Sequence, residues 1–156
     1  MRAPTWITTA AAVAATAAAG SLATDPSSRW YRRLRKPRWQ PPPAAFPLVW
    51  TPVYALIAVA GARTLDRSRG AERAAFAKGY ALNLVLNAGW TALFFRAHRP
   101  TAALAEIAAL DVSNLLLLRR AARTDRVAGL ALTPYVAWTV FATALNGAVV
   151  RLNPGR

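Results

Sequence analysis

Residues 39–62 read WQPPPAAFPLVWTPVYALIAVAGA, twenty-four positions without a charge. The hydrocarbon core of a bilayer is about 30 Å thick, and a helix needs roughly 20 apolar residues to cross it. Four further runs have the same character: Ala3 to Thr24, Gly79 to Phe95, Thr101 to Leu118, and Val127 to Val150. The run Thr101 to Leu118, fourth in chain order, holds only Glu106 and Asp111 as charges. The third is short, but Lys78 can snorkel and let Ala74 to Ala77 join it. Five such runs in 156 residues predict an all-α fold, a bundle of five transmembrane helices in a single domain. The expected helices are 5–23, 44–64, 74–95, 100–119 and 126–152, with a loop at 25–43.

The charges sit between these runs. Lys and Arg number 20 against 6 acids, a net charge of +14. A basic balance of this size raises nucleic acid as a partner. The flanking of apolar spans by Arg argues instead for anionic lipid headgroups and helix anchoring, with no nucleic acid. Orientation stays open: ten basic residues fall on each side, Arg2 on one and Arg156 on the other, so the positive-inside rule assigns no direction. Arg2 and Ala17-Ala18-Ala19 also allow a cleavable signal peptide, but the run is long and rich in Ala and Thr. The absence of cysteine excludes disulfides, thiolate catalysis and Cys-based metal sites.

Within the spans, polar and aromatic residues recur at helical spacing. Asn83, Asn87, Trp90 and Phe94 share a face of the third helix, and Trp50, Tyr54, Ile57 and Gly61 share a face of the second. Tyr135, Trp138, Ala142 and Leu145 form a stripe on the fifth, with Asn146 beside it. A buried Asn in hydrocarbon needs a partner, so these faces look inward. Ordinary packing would account for any one stripe; three together suit a cavity for a large, flat, apolar ligand. Ala10, Ala14 and Ala18 on the first helix allow close helix approach, and alanine bias explains them equally well.

Glu106 and Asp111 are intramembrane acids and therefore functional suspects. Five residues apart, they diverge by about 140° around the helix and do not form a dyad. The simpler expectation is that each bonds to a neighbouring helix. His98, the sole histidine, falls in a basic loop and reads as solvated, so no metal site is expected. No nucleophile-base set, phosphate loop or dinucleotide motif is present. Trp30, Tyr31, Leu34 and Trp39 alternate with basic residues in the loop, which suits the headgroup level. The prolines after Gln40 favour a folded lid.

Arg29-Trp30-Tyr31, Leu34, Lys36-Pro37, Trp39 and Pro41-Pro42, followed by Trp50 and Tyr54, resemble the translocator protein (TspO/MBR, peripheral benzodiazepine receptor-like) family. Leu86-Asn87-Ala88-Gly89-Trp90, Ala103-Leu104-Ala105-Glu106 and Pro134-Tyr135-Val136-Ala137-Trp138 continue the pattern in order. The match runs from about Arg29 to Asn153 and is of the bacterial type. It implies a homodimer in a membrane that the sequence does not identify, with a receptor pocket under the loop. The ligands it implies are porphyrins such as protoporphyrin IX, with sterols and synthetic compounds; no cofactor is required. By the resemblance, Trp50 and Trp138 are the porphyrin-binding residues, and candidates for light- and oxygen-dependent tetrapyrrole breakdown. Tyr54, Asn87, Trp90, Phe94 and Ala142 line the pocket, and Trp39 and Pro42 belong to the lid. Tyr135, Leu145 and Asn146 join the expected ligand-binding set through their stripe. Transport of a tetrapyrrole or sterol is the further alternative, though no internal repeat of the carrier kind is visible. Gly147 stands where the family's sterol motif has tyrosine, and Glu106 stands for an aspartate.

Overall fold

Serine, proline and aspartate punctuate the helices of the computed structural model, which describes residues 4–155. Arg2 and Arg156, counted above in the comparison of the two sides, lie outside the described residues. Helix α1 spans Thr5–Ala23, and α2 is a short helix, Arg29–Arg33, inside the expected loop. Ser28 starts α2 by accepting a hydrogen bond on Oγ from the Tyr31 N–H at 3.2 Å. Helix α3, Ala45–Arg67, begins directly after the three prolines. Helix α4 runs Gly70–Thr91 and passes without a break into a π-helical turn, Ala92–Arg96. Helix α5, Pro100–Thr124, opens on a proline whose missing N–H costs nothing in a first turn. Asp125 then caps α6, Arg126–Leu152, accepting from the Val127 N–H at 2.9 Å.

Three helices extend past the apolar runs that located them. Helix α3 continues to Arg67, α4 begins at Gly70 and α5 continues to Thr124. Charge ends an apolar run without ending a helix, because Arg, Lys and Glu are good helix formers. The added turns also find partners: Arg120 donates to the Ala75 carbonyl at 3.2 Å, and Arg63 and Arg67 meet Asp125 at 2.8 and 3.2 Å.

The helices close into a ring in the order α1, α3, α6, α5, α4 and back to α1. All the described secondary structure is helical. By length and composition, four helices are apolar enough to cross a membrane: α1, α3, α5 and α6. That is one fewer than the five expected. Helix α4 falls short because Glu72, Arg73 and Lys78 occupy its first half, and Asn83 and Asn87 its second.

Two apolar clusters pack the ring. The larger lies away from the loop and includes Val53, Ile57, Phe76, Leu117, Leu132 and Tyr135. A tight contact beside it is at Gly61, where a Cβ would fall 2.6 Å from the Tyr80 ring, so only glycine lets that ring cross α3. The smaller cluster, Leu34, Phe94, Phe95, Ala103 and Val149, lies under the loop. The π turn makes it possible. Ala97 N–H reaches back to the Ala92 carbonyl at 2.9 Å, and the wider turn carries both Phe94 and Phe95 inward.

The expected lid is fastened at several points. Trp30 stacks on His98 at 4.5 Å and meets Phe94 edge-on at 5.6 Å; Tyr31 packs on Phe95 at 5.2 Å. His98 is exposed to solvent, as read from its loop position, but its ring is held by this stack. Lys36 Nζ donates to the Tyr31 carbonyl at 2.6 Å and lies 4.2 Å from the Tyr31 ring centre. Burial holds the Lys36 ammonium below its usual pKa and pushes the Tyr31 phenol above its own. Asn153 supplies the clasp. Its Oδ1 accepts from the Arg35 N–H at 2.9 Å, and its Nδ2 donates to the Arg35 carbonyl at 2.9 Å.

These contacts have two measurable outcomes. Asn153→Ala removes two lid hydrogen bonds at once, so tryptic cleavage after Arg35 and Arg38 should accelerate by about tenfold; an unchanged cleavage rate would show the clasp to be dispensable. The Arg63 guanidinium holds the Asp125 carboxyl below the usual carboxylate range. A depressed carboxylate stabilises the fold above the unfolded pKa of about 3.9 and loses that contribution as pH falls through the folded value. The thermal midpoint of wild type should therefore exceed that of Asp125→Asn at neutral pH, with the gap closing below about pH 4.

Candidate functional site

A bilayer interior offers an amide no water, so each buried Asn must be satisfied by the protein. Asn87 Oδ1 accepts from Tyr54 Oη at 2.9 Å, and its Nδ2 donates to Tyr135 Oη at 3.0 Å. Tyr135 in turn donates to Asn83 Oδ1 at 3.1 Å. Asn83 Nδ2 donates to Asn114 Oδ1 at 2.6 Å, and Asn114 Nδ2 to Thr139 Oγ1 at 2.8 Å. This chain ties α3, α4, α5 and α6 together at mid-height. Asn146 makes a second knot, accepting from Trp90 Nε1 at 2.9 Å and donating to the Pro100 carbonyl at 2.9 Å.

Between this polar layer and the lid lies a cavity of about 470 Å³. Its walls are aromatic and set at steep angles. Trp50 stacks on Tyr54 at 4.9 Å, meets Trp138 at 6.5 Å and 89°, and meets Tyr135 at 6.2 Å. Trp90 stacks on Phe94 at 5.1 Å. Among the described residues none of the lining side chains is charged. Trp138 Nε1 is buried without a hydrogen-bond partner.

Of the twelve residues singled out from the sequence, Trp50, Tyr54, Asn87, Trp90, Phe94, Trp138, Ala142, Leu145 and Asn146 line this cavity. Tyr135 stands behind the wall, 1% exposed, where it supports Asn87. Pro42 lies exposed at the lid, beside the lining residue Pro43. Trp39 is 51% exposed and packs on Phe141 at 5.8 Å. It borders a separate outer groove with Leu104, Gly147 and Arg151.

Sequence reasoning missed the contribution of α1. Ala17, Gly20, Ser21 and Thr24 line the cavity, whereas Ala10, Ala14 and Ala18 face outward. The buried face of α1 is Thr9, Val13, Thr16 and Gly20, and the threonines at that spacing were the available signal. Phe46 and Pro47, at the start of α3, were also missed.

Neither intramembrane acid lines the cavity. Asp111 meets the expectation of a neighbouring-helix bond, accepting from Thr143 Oγ1 of α6 at 2.7 Å. Glu106 does not: both carboxyl oxygens are buried without a partner, and a Cβ built at Gly89 of α4 would lie 3.5 Å from Oε1, where glycine has no side chain to donate.

The comparisons with known proteins agree with this architecture. The model of the TspO/MBR family matches residues 7–152. A tryptophan-rich protein TspO of Chlorobaculum tepidum is 38% identical over 140 residues, covering 87% of each chain. The tryptophan-rich sensory protein of Cereibacter sphaeroides is 34% identical over 151 residues, 97% of this chain and 92% of the relative. The translocator protein of Sus scrofa is 35% identical over 133 residues, 81% of this chain and 76% of the relative. With its long apolar helices, its tryptophan-walled cavity and a family match over nearly all of its length, this chain is a membrane protein of the TspO/MBR family.

Proposed function

We propose that this chain is a five-span receptor or regulatory protein that binds a porphyrin-like tetrapyrrole in the cavity beneath the lid. The observation that carries the reading is the uncharged cavity walled by Trp50, Tyr54, Trp90 and Trp138. A flat, rigid, apolar ring system gains most from such walls through stacking and edge-to-face contact. Its ionised edge has no partner inside and belongs at the mouth, where the lid carries Arg29, Arg32, Arg33, Arg35 and Arg38. The name of the Cereibacter relative, a sensory protein, accords with a binding and signalling role.

Helix α4 is the fifth span in this reading. Its low apolarity comes partly from Asn83 and Asn87, which are buried and bonded within the bundle and present nothing polar to lipid. The functional unit is a homodimer in a lipid membrane, and binding requires no cofactor.

A second reading is enzymatic. Trp50, Tyr54, Tyr135 and Trp138 form one contiguous set of aromatic contacts, which could carry oxidising equivalents during light- and oxygen-dependent breakdown of a bound tetrapyrrole. Transport, in keeping with the name of the Sus scrofa relative, is the third.

Absorbance of protoporphyrin IX with the purified protein, in the dark and then under illumination, separates these readings. A receptor gives a saturable dark shift that persists in light, and Trp138→Phe weakens it by roughly fivefold. Bleaching that needs Trp50 and Trp138, and is absent from detergent alone, selects the enzyme. Without a saturable shift in wild type, the tetrapyrrole assignment falls.

A further inference from the structure

The hydrogen-bond chain through the bundle has a direction, and its direction decides what the cavity presents. At the far end the Thr139 hydroxyl donates to the Val136 carbonyl at 3.1 Å, and a carbonyl can only accept. Thr139 must then accept from Asn114, which sets the Asn114 amide; its Oδ1 accepts from Asn83, whose Oδ1 accepts from Tyr135. Tyr135 accepts from Asn87, and Asn87 Oδ1 accepts from Tyr54. Each bond of the chain thus runs in one direction, from Tyr54 toward Thr139. The last atom, Tyr54 Oη, has committed its hydrogen and offers only lone pairs.

A second hydroxyl at the same place is in the same state. Thr91 Oγ1 donates to the Ala88 carbonyl at 2.8 Å and accepts nothing among the described residues. Both oxygens face Gly20 of α1: a Cβ built there would lie 3.9 Å from Tyr54 Oη and 3.9 Å from Thr91 Oγ1. Because position 20 is glycine, this space between α1, α3 and α4 is open to the cavity.

We propose that this corner is a subsite that accepts a neutral N–H or O–H donor from the ligand, and so orients the ligand within the cavity. A carboxylate there would face the lone pairs of two oxygens whose hydrogens are already committed. An ammonium would be desolvated with no counter-charge among the lining residues. A pyrrole-type N–H on the ligand's outer edge, a lactam N–H or an alcohol meets both acceptors without charge. The assignment builds on the ligand cavity proposed above and adds the polarity of one wall to it.

Carbazole and fluorene test the polarity directly, because they share a shape and differ by N–H against CH₂. Equilibrium binding of each radiolabelled compound to the purified protein, corrected for partition into protein-free micelles, yields a preference ratio. Wild type should favour carbazole by about fivefold or more, since the corner's acceptors are left unpaired by fluorene. Thr91→Val keeps the side-chain shape, removes one acceptor and should lower the ratio. Gly20→Ala places a methyl at ordinary contact distance from both oxygens and should bring the ratio to near one, while alanine favours the α1 helix. A wild-type ratio near one, no saturable carbazole binding, or a ratio unchanged in both variants would overturn the subsite. A protoporphyrin IX titration on the same preparation keeps the two proposals apart. Carbazole preference without porphyrin binding retains the corner and removes the tetrapyrrole; porphyrin binding without the preference does the reverse.

Discussion

An asparagine placed in hydrocarbon must find both a donor and an acceptor in the protein around it, and this bundle is organised by that requirement. An unsatisfied buried amide group costs on the order of 1–3 kcal/mol. Helix association in lipid gains little from the hydrophobic effect and depends on packing and polar contacts. Asn83, Asn87, Asn114 and Asn146 each use both ends of the amide, and their partners lie on other helices. Such side chains set helix register, because sliding a helix by one residue would turn each amide about 100° away from its partners.

The same layer explains where the cavity sits. Away from the lid the ring is filled by large apolar side chains and by the Tyr80 ring lying across Gly61. Toward the lid the indoles stand on the polar layer as walls: Trp90 is held by Asn146, and Trp50 rests against Tyr54 and Tyr135. The lid closes the opening with an aromatic stack at one end and the Asn153 clasp at the other. Cavity, floor and cover thus draw on residues from every helix.

Much of this is legible in the sequence. Uncharged runs locate the helices because charge is excluded from the apolar parts of the spans, and periodicity identifies the inward faces because only those faces tolerate Asn. The limits have physical causes. Apolar runs place helix ends short where Arg-rich turns continue the helix, as in α5 to Thr124. Helix α4 scores below the four more apolar helices in part because hydropathy counts Asn83 and Asn87 as polar whether or not they are paired. The α1 wall escapes notice because its cavity residues are small, and the threonines that mark its buried face sit in an alanine-rich run with further threonines at Thr5 and Thr8. Helix α2 is hidden by the prolines beyond it, although Ser28 ahead of Arg29–Arg33 is an ordinary capping signal. The π turn gives no signal in pattern reading, since helical periodicity assumes that every turn is the same.

That turn carries a genetic consequence. A π turn holds one residue more than the α-helical turn it replaces, so in the gene it amounts to a single codon. Loss of any one codon from 92–96 would let α4 regularise, with the residues beyond the deletion kept in phase with the body of the helix and the widened turn lost. Phe94 and Phe95 could not then both face inward, and Trp30 and Tyr31 would lose a shared seat. Substitutions in this segment change one contact at a time; an in-frame deletion of one residue would change the seating of the whole lid. The segment is therefore more sensitive to length than to composition.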